Sequence, residues 1–224
     1  WFILALCGIF FYFMETQNLK PQKRDFKSFF WQINAAVILS LFLSVLWVQP
    51  HWSLYVLAGA GAILQVTAFL KFYQIISPFW KQLDFSLFTQ FLLKLAGVLM
   101  AAKILLQLLS AIPWFADLVF SYPDLVIGYL HWVFLGVVST TLFAFLSHAN
   151  LLALPNWLFW IYFSAFLLTE ILIFYKGTAI WLELGFPAFY FKLLAFVSLF
   201  LPLSVGLLLL KNLLRKRETS AKSA

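Results

Sequence analysis

The chain has 224 residues, of which 64% are hydrophobic and only 10% charged, with a formal net charge of +7. Soluble domains run near half apolar and a quarter charged, so a chain this short cannot hide so much apolar surface in a core of its own, and lipid must be its solvent. The basic excess sits in two short segments beside apolar runs, which points to positive-inside topology and away from nucleic acid as a partner.

A helical crossing needs about 20 apolar residues. The first run, Trp1 to Met14, is short and opens in mid-span with no polar lead. The chain is therefore expected to be the C-terminal part of a longer protein, with residues 1–224 forming one transmembrane helical domain. Glu15 to Ser28 is a polar loop carrying Lys20, Lys23, Arg24 and Lys27. Further runs follow at Phe29 to Val48, closed by Gln49, Pro50 and His51, and at Trp52 to about Ile76. Ser77 and Pro78 open a short loop holding Lys81 and Asp84. The fourth run is Phe85 to about Ile112, and Pro113 starts a turn. The fifth is Asp124 to Leu146 and the sixth Asn156 to Tyr175. Gly177 to Pro187 reads as a loop or a short interfacial helix. The seventh run is Ala188 to Leu210, and a basic tail over residues 211–224 carries Lys211, Arg215, Lys216, Arg217 and Lys222.

The reading is thus an all-α bundle of about seven spans. An odd number of crossings puts the first loop and the tail on one side, and both are the basic segments. The loops expected on the opposite side, Gln49–His51, Trp114–Pro123 and Gly177–Pro187, carry almost no Lys or Arg. The C-terminus is therefore expected in the cytoplasm of a bacterial inner membrane. The 28 Phe suit lipid-facing and packed positions, and the 10 Trp and 8 Tyr suit the two interfaces. Every loop is short, and glycine-rich phosphate loops, HExxH and GxSxG are absent. The one cysteine, Cys7, rules out an internal disulfide and cysteine-ligated zinc or iron–sulfur sites.

Ionisable side chains inside the apolar layer are costly and mark sites. His131 lies well inside the fifth run, in Gly128-Tyr-Leu-His131-Trp-Val-Phe-Leu-Gly136. It is a ligand for haem iron or copper, with the two glycines making room for a macrocycle, or it bonds a neighbouring helix and the glycines serve close packing. Lys103 and Gln107 are one turn apart and share a face of the fourth run. Lys103 is expected to meet a carboxylate, an anionic group such as a haem propionate, or a water-filled cavity, or else to form a structural pair or snorkel outward. Glu170 falls in the sixth run at a depth that permits a cluster, ion pair or proton relay with Lys103 and His131. His51 and His148 lie at helix ends, where capping or solvation explains them. Lys176 stands too far round the helix from Glu170 for an easy pair. Ala58-Gly-Ala-Gly-Ala62, followed by Gln65, offers a close-packing face or a groove for a cofactor or lipid.

The His131 segment, the Trp1-Phe2 run ending at Glu15, and Lys103-x-x-x-Gln107-x-x-Ser110-x-x-Pro113 together resemble a family of uncharacterised polytopic membrane proteins of Bacteroidetes-type bacteria. That family is distantly similar to the haem–copper oxidase catalytic subunit. The resemblance implies an oxidase-subunit-like bundle for electron transport, with haem as cofactor and His131 as a metal ligand. Lys103 and Gln107 would hold propionates, and Glu170 would tune charge or pass protons. The chain departs from the pattern in having only three histidines, too few for a haem–copper centre. The missing ligands would lie in an N-terminal half or a partner membrane subunit, or the scaffold has outlived the chemistry. Two other roles fit the sequence: a non-catalytic subunit of a larger membrane complex, and a small-molecule transporter using the Lys103 and Glu170 depth.

Overall fold

The computed structural model describes residues 2–48 and 51–222, with side chains described over 2–46 and 51–215. Trp1, the Gln49-Pro50 part of the expected turn, and the side chains of Lys216, Arg217 and Lys222 lie outside the described residues. Helix is the only regular structure among the described residues. Lipid cannot satisfy backbone polar groups, so an apolar chain must bond them within each segment.

The helices are α1 (Phe2–Thr16), α2 (Lys23–Ser40), α3 (Trp52–Ile76), α4 (Leu87–Ser110), α5 (Pro113–Ser121), α6 (Pro123–His131), α7 (Ser139–His148), α8 (Asn156–Trp181) and α9 (Tyr190–Lys222). A 3₁₀ stretch, Leu41–Val48, continues α2, and a π-helical segment, Trp132–Val138, joins α6 to α7. Six of the resulting rods are long and apolar enough to cross a membrane: Lys23–Leu46, Trp52–Ile76, Leu87–Ser110, Pro123–His148, Asn156–Trp181 and Tyr190–Arg215. This is an integral membrane protein built as a helical bundle. The remaining expected run, the first, is α1, whose 15 residues span about 22 Å, short of a hydrocarbon core of about 30 Å.

Three expected boundaries shift. Residues 114–121, read as loop, belong to α5, which starts on Pro113, where a missing N–H costs nothing. Gly177 to Trp181 extends α8, where a loop or a separate short helix was expected, and the basic tail to Lys222 continues α9 as helix. The helix also runs through Pro202 without a break. At three other ends the stop is explicit. Asn18, Asn150 and Glu183 take positive φ (59°, 57° and 56°). The leucine after each donates its N–H five residues back, Leu19 to Met14 at 2.9 Å, Leu151 to Leu146 at 3.0 Å and Leu184 to Ala179 at 2.7 Å. This left-handed termination satisfies carbonyls that the last turn would otherwise strand.

The chain forms two compact units: Trp1–Asp84 with Met100–Ser121, and Phe85–Leu99 with Tyr122–Ala224. In the first, α2 lies against α3, and Phe29, Ile33, Ala68 and Ile75 form a core onto which Ile3, Leu4, Cys7 and Phe11 of α1 pack. A second cluster joins Leu46, Ala58 and Ala116. The small-residue face of α3 is a packing face: a Cβ on Gly61 would lie 2.8 Å from the Leu39 carbonyl carbon. The same unit ties its loops together, the Asp84 N–H donating to Gln17 Oε1 at 2.9 Å. In the second unit α8 is the central rod, with Phe159, Phe166, Thr169, Glu170 and seven further residues buried along it. Aromatic rings of α4, α7 and α8 interlock around Phe159, edge-on to Phe88 at 5.8 Å and to Phe143 at 6.5 Å, and stacked on Phe163 at 5.6 Å.

Candidate functional site

The second unit holds an imidazole and a carboxylate side by side inside the apolar layer. His131 is the last residue of α6 and Glu170 lies midway along α8. His131 Nδ1 is 3.6 Å from Glu170 Oε1, with the Glu170 side chain 2% exposed and that of His131 41% exposed. The gap is ion-pair distance and too long for a hydrogen bond. Nδ1 and both Glu170 oxygens are buried and have no hydrogen-bond partner among the described residues. Exposure of the ring therefore falls on its other atoms. Of the three residues expected to converge, His131 and Glu170 do meet. Because α8 runs on to Trp181, Glu170 sits about 16 Å from its end, deeper than the sequence reading placed it.

The backbone next to His131 is irregular, and the irregularity is supported on all sides. Widened π turns are uncommon and free carbonyls from the regular ladder, so inside a membrane each must find another donor. Ser139 Oγ donates to the Phe134 carbonyl at 2.9 Å and Tyr162 Oη to the Leu135 carbonyl at 2.9 Å. Thr141 Oγ1 donates to the Val137 carbonyl at 2.7 Å, and Trp132 Nε1 to the Leu99 carbonyl at 2.9 Å. The glycines allow α8 to come close. A Cβ on Gly136 would lie 2.7 Å from Phe166 Cζ, one on Gly128 3.0 Å from Phe174 Cζ, and one on Gly177 2.8 Å from Leu125 Cδ2. The space expected for a macrocycle beside Gly128 and Gly136 is thus filled by two phenyl rings, and the close-packing reading of those glycines holds. The residues present do not make a haem pocket on that face. Groups of three or more His, Cys, Asp or Glu able to hold a metal are absent among the described residues, and a metal at His131 would need its other ligands from elsewhere.

Lys103 belongs to the first unit. Its ammonium donates to Gln65 Oε1 at 2.8 Å and to Gln107 Oε1. The shared face of Lys103 and Gln107 is as expected, and the ammonium meets two neutral amides, the structural pairing that was one of the expected alternatives to a carboxylate. Gln65 was legible only as a polar residue in an apolar run, because the pairing of α3 with α4 carries no sequence signal. His51 caps α3, its Nδ1 accepting the Ser53 N–H at 3.4 Å, and the His148 ring meets Phe85 edge-on at 4.6 Å. Lys176, left without a partner by the sequence, bonds Asp124 Oδ1 at 2.9 Å, clipping the start of α6 to the last turns of α8. Asp124 directly after Pro123 and Lys176 near the end of the next long helix were the available signal. Comparisons with protein-family models, with curated proteins and with solved structures find no match to this chain.

Proposed function

We propose that this chain is a bacterial inner-membrane protein, C-terminus in the cytoplasm, whose His131–Glu170 pair binds and releases a proton within the bilayer. The observation that carries the reading is a buried carboxylate with no hydrogen bond among the described residues, facing an imidazole nitrogen that also lacks one. With one proton shared between them the pair is neutral overall, as an ion pair or as acid and free base. A second proton leaves it at +1 and loss of the first leaves it at −1. Hydrocarbon penalises both charged states, so proton uptake and release by the pair would depend on access and surroundings. A gap of 3.6 Å closes to hydrogen-bond length by a small movement, and the adjoining π segment is a place where a helix can shift register. An interrupted helix beside an intramembrane charge is also what a proton-coupled carrier would use.

The test is proton flux in proteoliposomes under an imposed potential, read with a trapped pH dye. Wild-type protein should acidify the lumen, Glu170→Gln and His131→Ala should not, and Lys176→Gln should behave as wild type. Flux in Glu170→Gln equal to that of wild type would sink the proposal. Infrared difference spectra across a pH step give a second readout, a carboxyl band that Glu170→Gln removes and His131→Ala shifts.

Haem or metal ligation at His131 is the second reading. Its support is the carboxylate beside Nδ1, which is how ligating histidines are often held. A Soret band in the purified full-length protein, shifted by His131→Ala, would favour it over the proton site, and a colourless, metal-free preparation would remove it.

A further inference from the structure

The first unit contains a cation with no counter-charge. Lys103 is 5% exposed, its amide partners Gln65 and Gln107 are 2% and 5% exposed, and all three lie within membrane-spanning helices. Carboxylates within ion-pair distance of its ammonium are absent among the described residues. Lys103 lies seven residues before Ser110, about 10 Å from that end of α4. It is too deep for its own stem to carry the charge out to water, and the ammonium is held by two amides instead. Amide oxygens orient an ammonium but bring no negative charge, so a protonated Lys103 has no counter-ion among the described residues in a low-dielectric layer. An ammonium has three donors, and Gln65 and Gln107 use two of them.

We infer that Lys103, oriented by Gln65 and Gln107, is a binding site for a small monovalent anion, a halide or a simple carboxylate. The anion would take the third donor, and the neutral pair so formed would cost the bilayer far less than the bare cation. Two amides, in place of one carboxylate, are what such a site requires. A fixed Asp or Glu would neutralise Lys103 permanently and leave nothing to bind, whereas glutamines position the charge and keep it available. The inference concerns the first unit alone and stands or falls independently of the His131–Glu170 proposal.

The experiment is thermal unfolding of the full chain in zwitterionic detergent, titrated with sodium chloride or sodium formate against sodium gluconate at matched ionic strength. Specific binding to the folded state raises Tm along a saturating curve. The expected result is saturation with chloride or formate, loss of that component in Lys103→Gln, and retention with altered affinity in Lys103→Arg. Within the wild-type protein alone, a shift that is linear in salt and equal for all three anions overturns the inference, so the test survives a variant that fails to fold. A saturating shift that persists unchanged in Lys103→Gln also overturns it. So does a Lys103-dependent shift produced only by phosphatidylglycerol in nanodiscs and by no free anion, because the ligand would then be a lipid headgroup.

Discussion

At the scale of single residues, neighbours decide what a buried charge does. Glu170 and His131 are each expensive alone in hydrocarbon and tolerable together, which makes their energies non-additive. Removing one partner strands the other. His131→Leu should therefore destabilise the protein by about 2–4 kcal/mol, and Glu170→Gln by less, because a neutral amide leaves no buried charge behind. The double variant should recover part of the His131→Leu loss, with a coupling of about 1–3 kcal/mol in a double-mutant cycle on denaturation in mixed micelles. Simple additivity would show that the two groups do not sense each other. The Lys176–Asp124 pair provides the contrast. Its side chains are 24% and 21% exposed, so solvent and salt screen it, and Lys176→Gln should cost about 1 kcal/mol or less.

At the scale of elements, the glycines separate into those that position helices and those that do not. Gly61 faces backbone atoms of Leu39 and Ser40 at 2.8 Å, while Gly136 faces the tip of the Phe166 ring at 2.7 Å. Backbone cannot step aside and a ring can turn. Gly61→Ala should therefore push α3 off α2 and cost about 2–3 kcal/mol, whereas Gly136→Ala should cost less and be partly rescued by Phe166→Leu. Gly59, with nothing within 4 Å of its missing Cβ, accepts alanine and gains helix propensity. Ranking the Tm values of the three alanine variants checks the order, Gly59 highest and Gly61 lowest. Tyr162 acts on the π segment in the same local way. Its hydroxyl caps the Leu135 carbonyl, and a membrane hydrogen bond of this kind contributes about 0.6 kcal/mol.

At the scale of the whole molecule, the six spanning rods bury only part of their surface within the chain, and the remainder is apolar and suited to lipid. The charge rule that motivates the proposed orientation makes a direct prediction. In a chain with Cys7 replaced by Ala, single cysteines introduced at Lys20, at Lys81 and at Arg215 should all react with an impermeant thiol reagent from the same, cytoplasmic, side. One introduced at Glu183 should react only from the other. Labelling of Lys20→Cys and Arg215→Cys from opposite faces would require an odd number of crossings between them and would overturn the orientation.

The membrane class was fully present in the sequence, because apolar runs long enough to span hydrocarbon have no other stable solvent. The rods, the capping role of His51, and Lys103 sharing a face with Gln107 were also legible, since helical periodicity is a local property. So was the suspicion attached to His131 and Glu170, which needs only the cost of a charge in oil. What the sequence could not determine was which helices touch. Lipid is as apolar as leucine, so one greasy face predicts no particular partner, and fit among small residues and rings makes the choice. Tertiary structure alone placed Gln65 beside Lys103, Asp124 beside Lys176, and the carboxylate of Glu170 against His131. It also filled the gaps at Gly128 and Gly136 with phenylalanine and turned the expected loop after Pro113 into helix. Depth along a helix can be counted from the sequence, whereas the angle and neighbour at which two helices meet emerge only when the whole bundle packs.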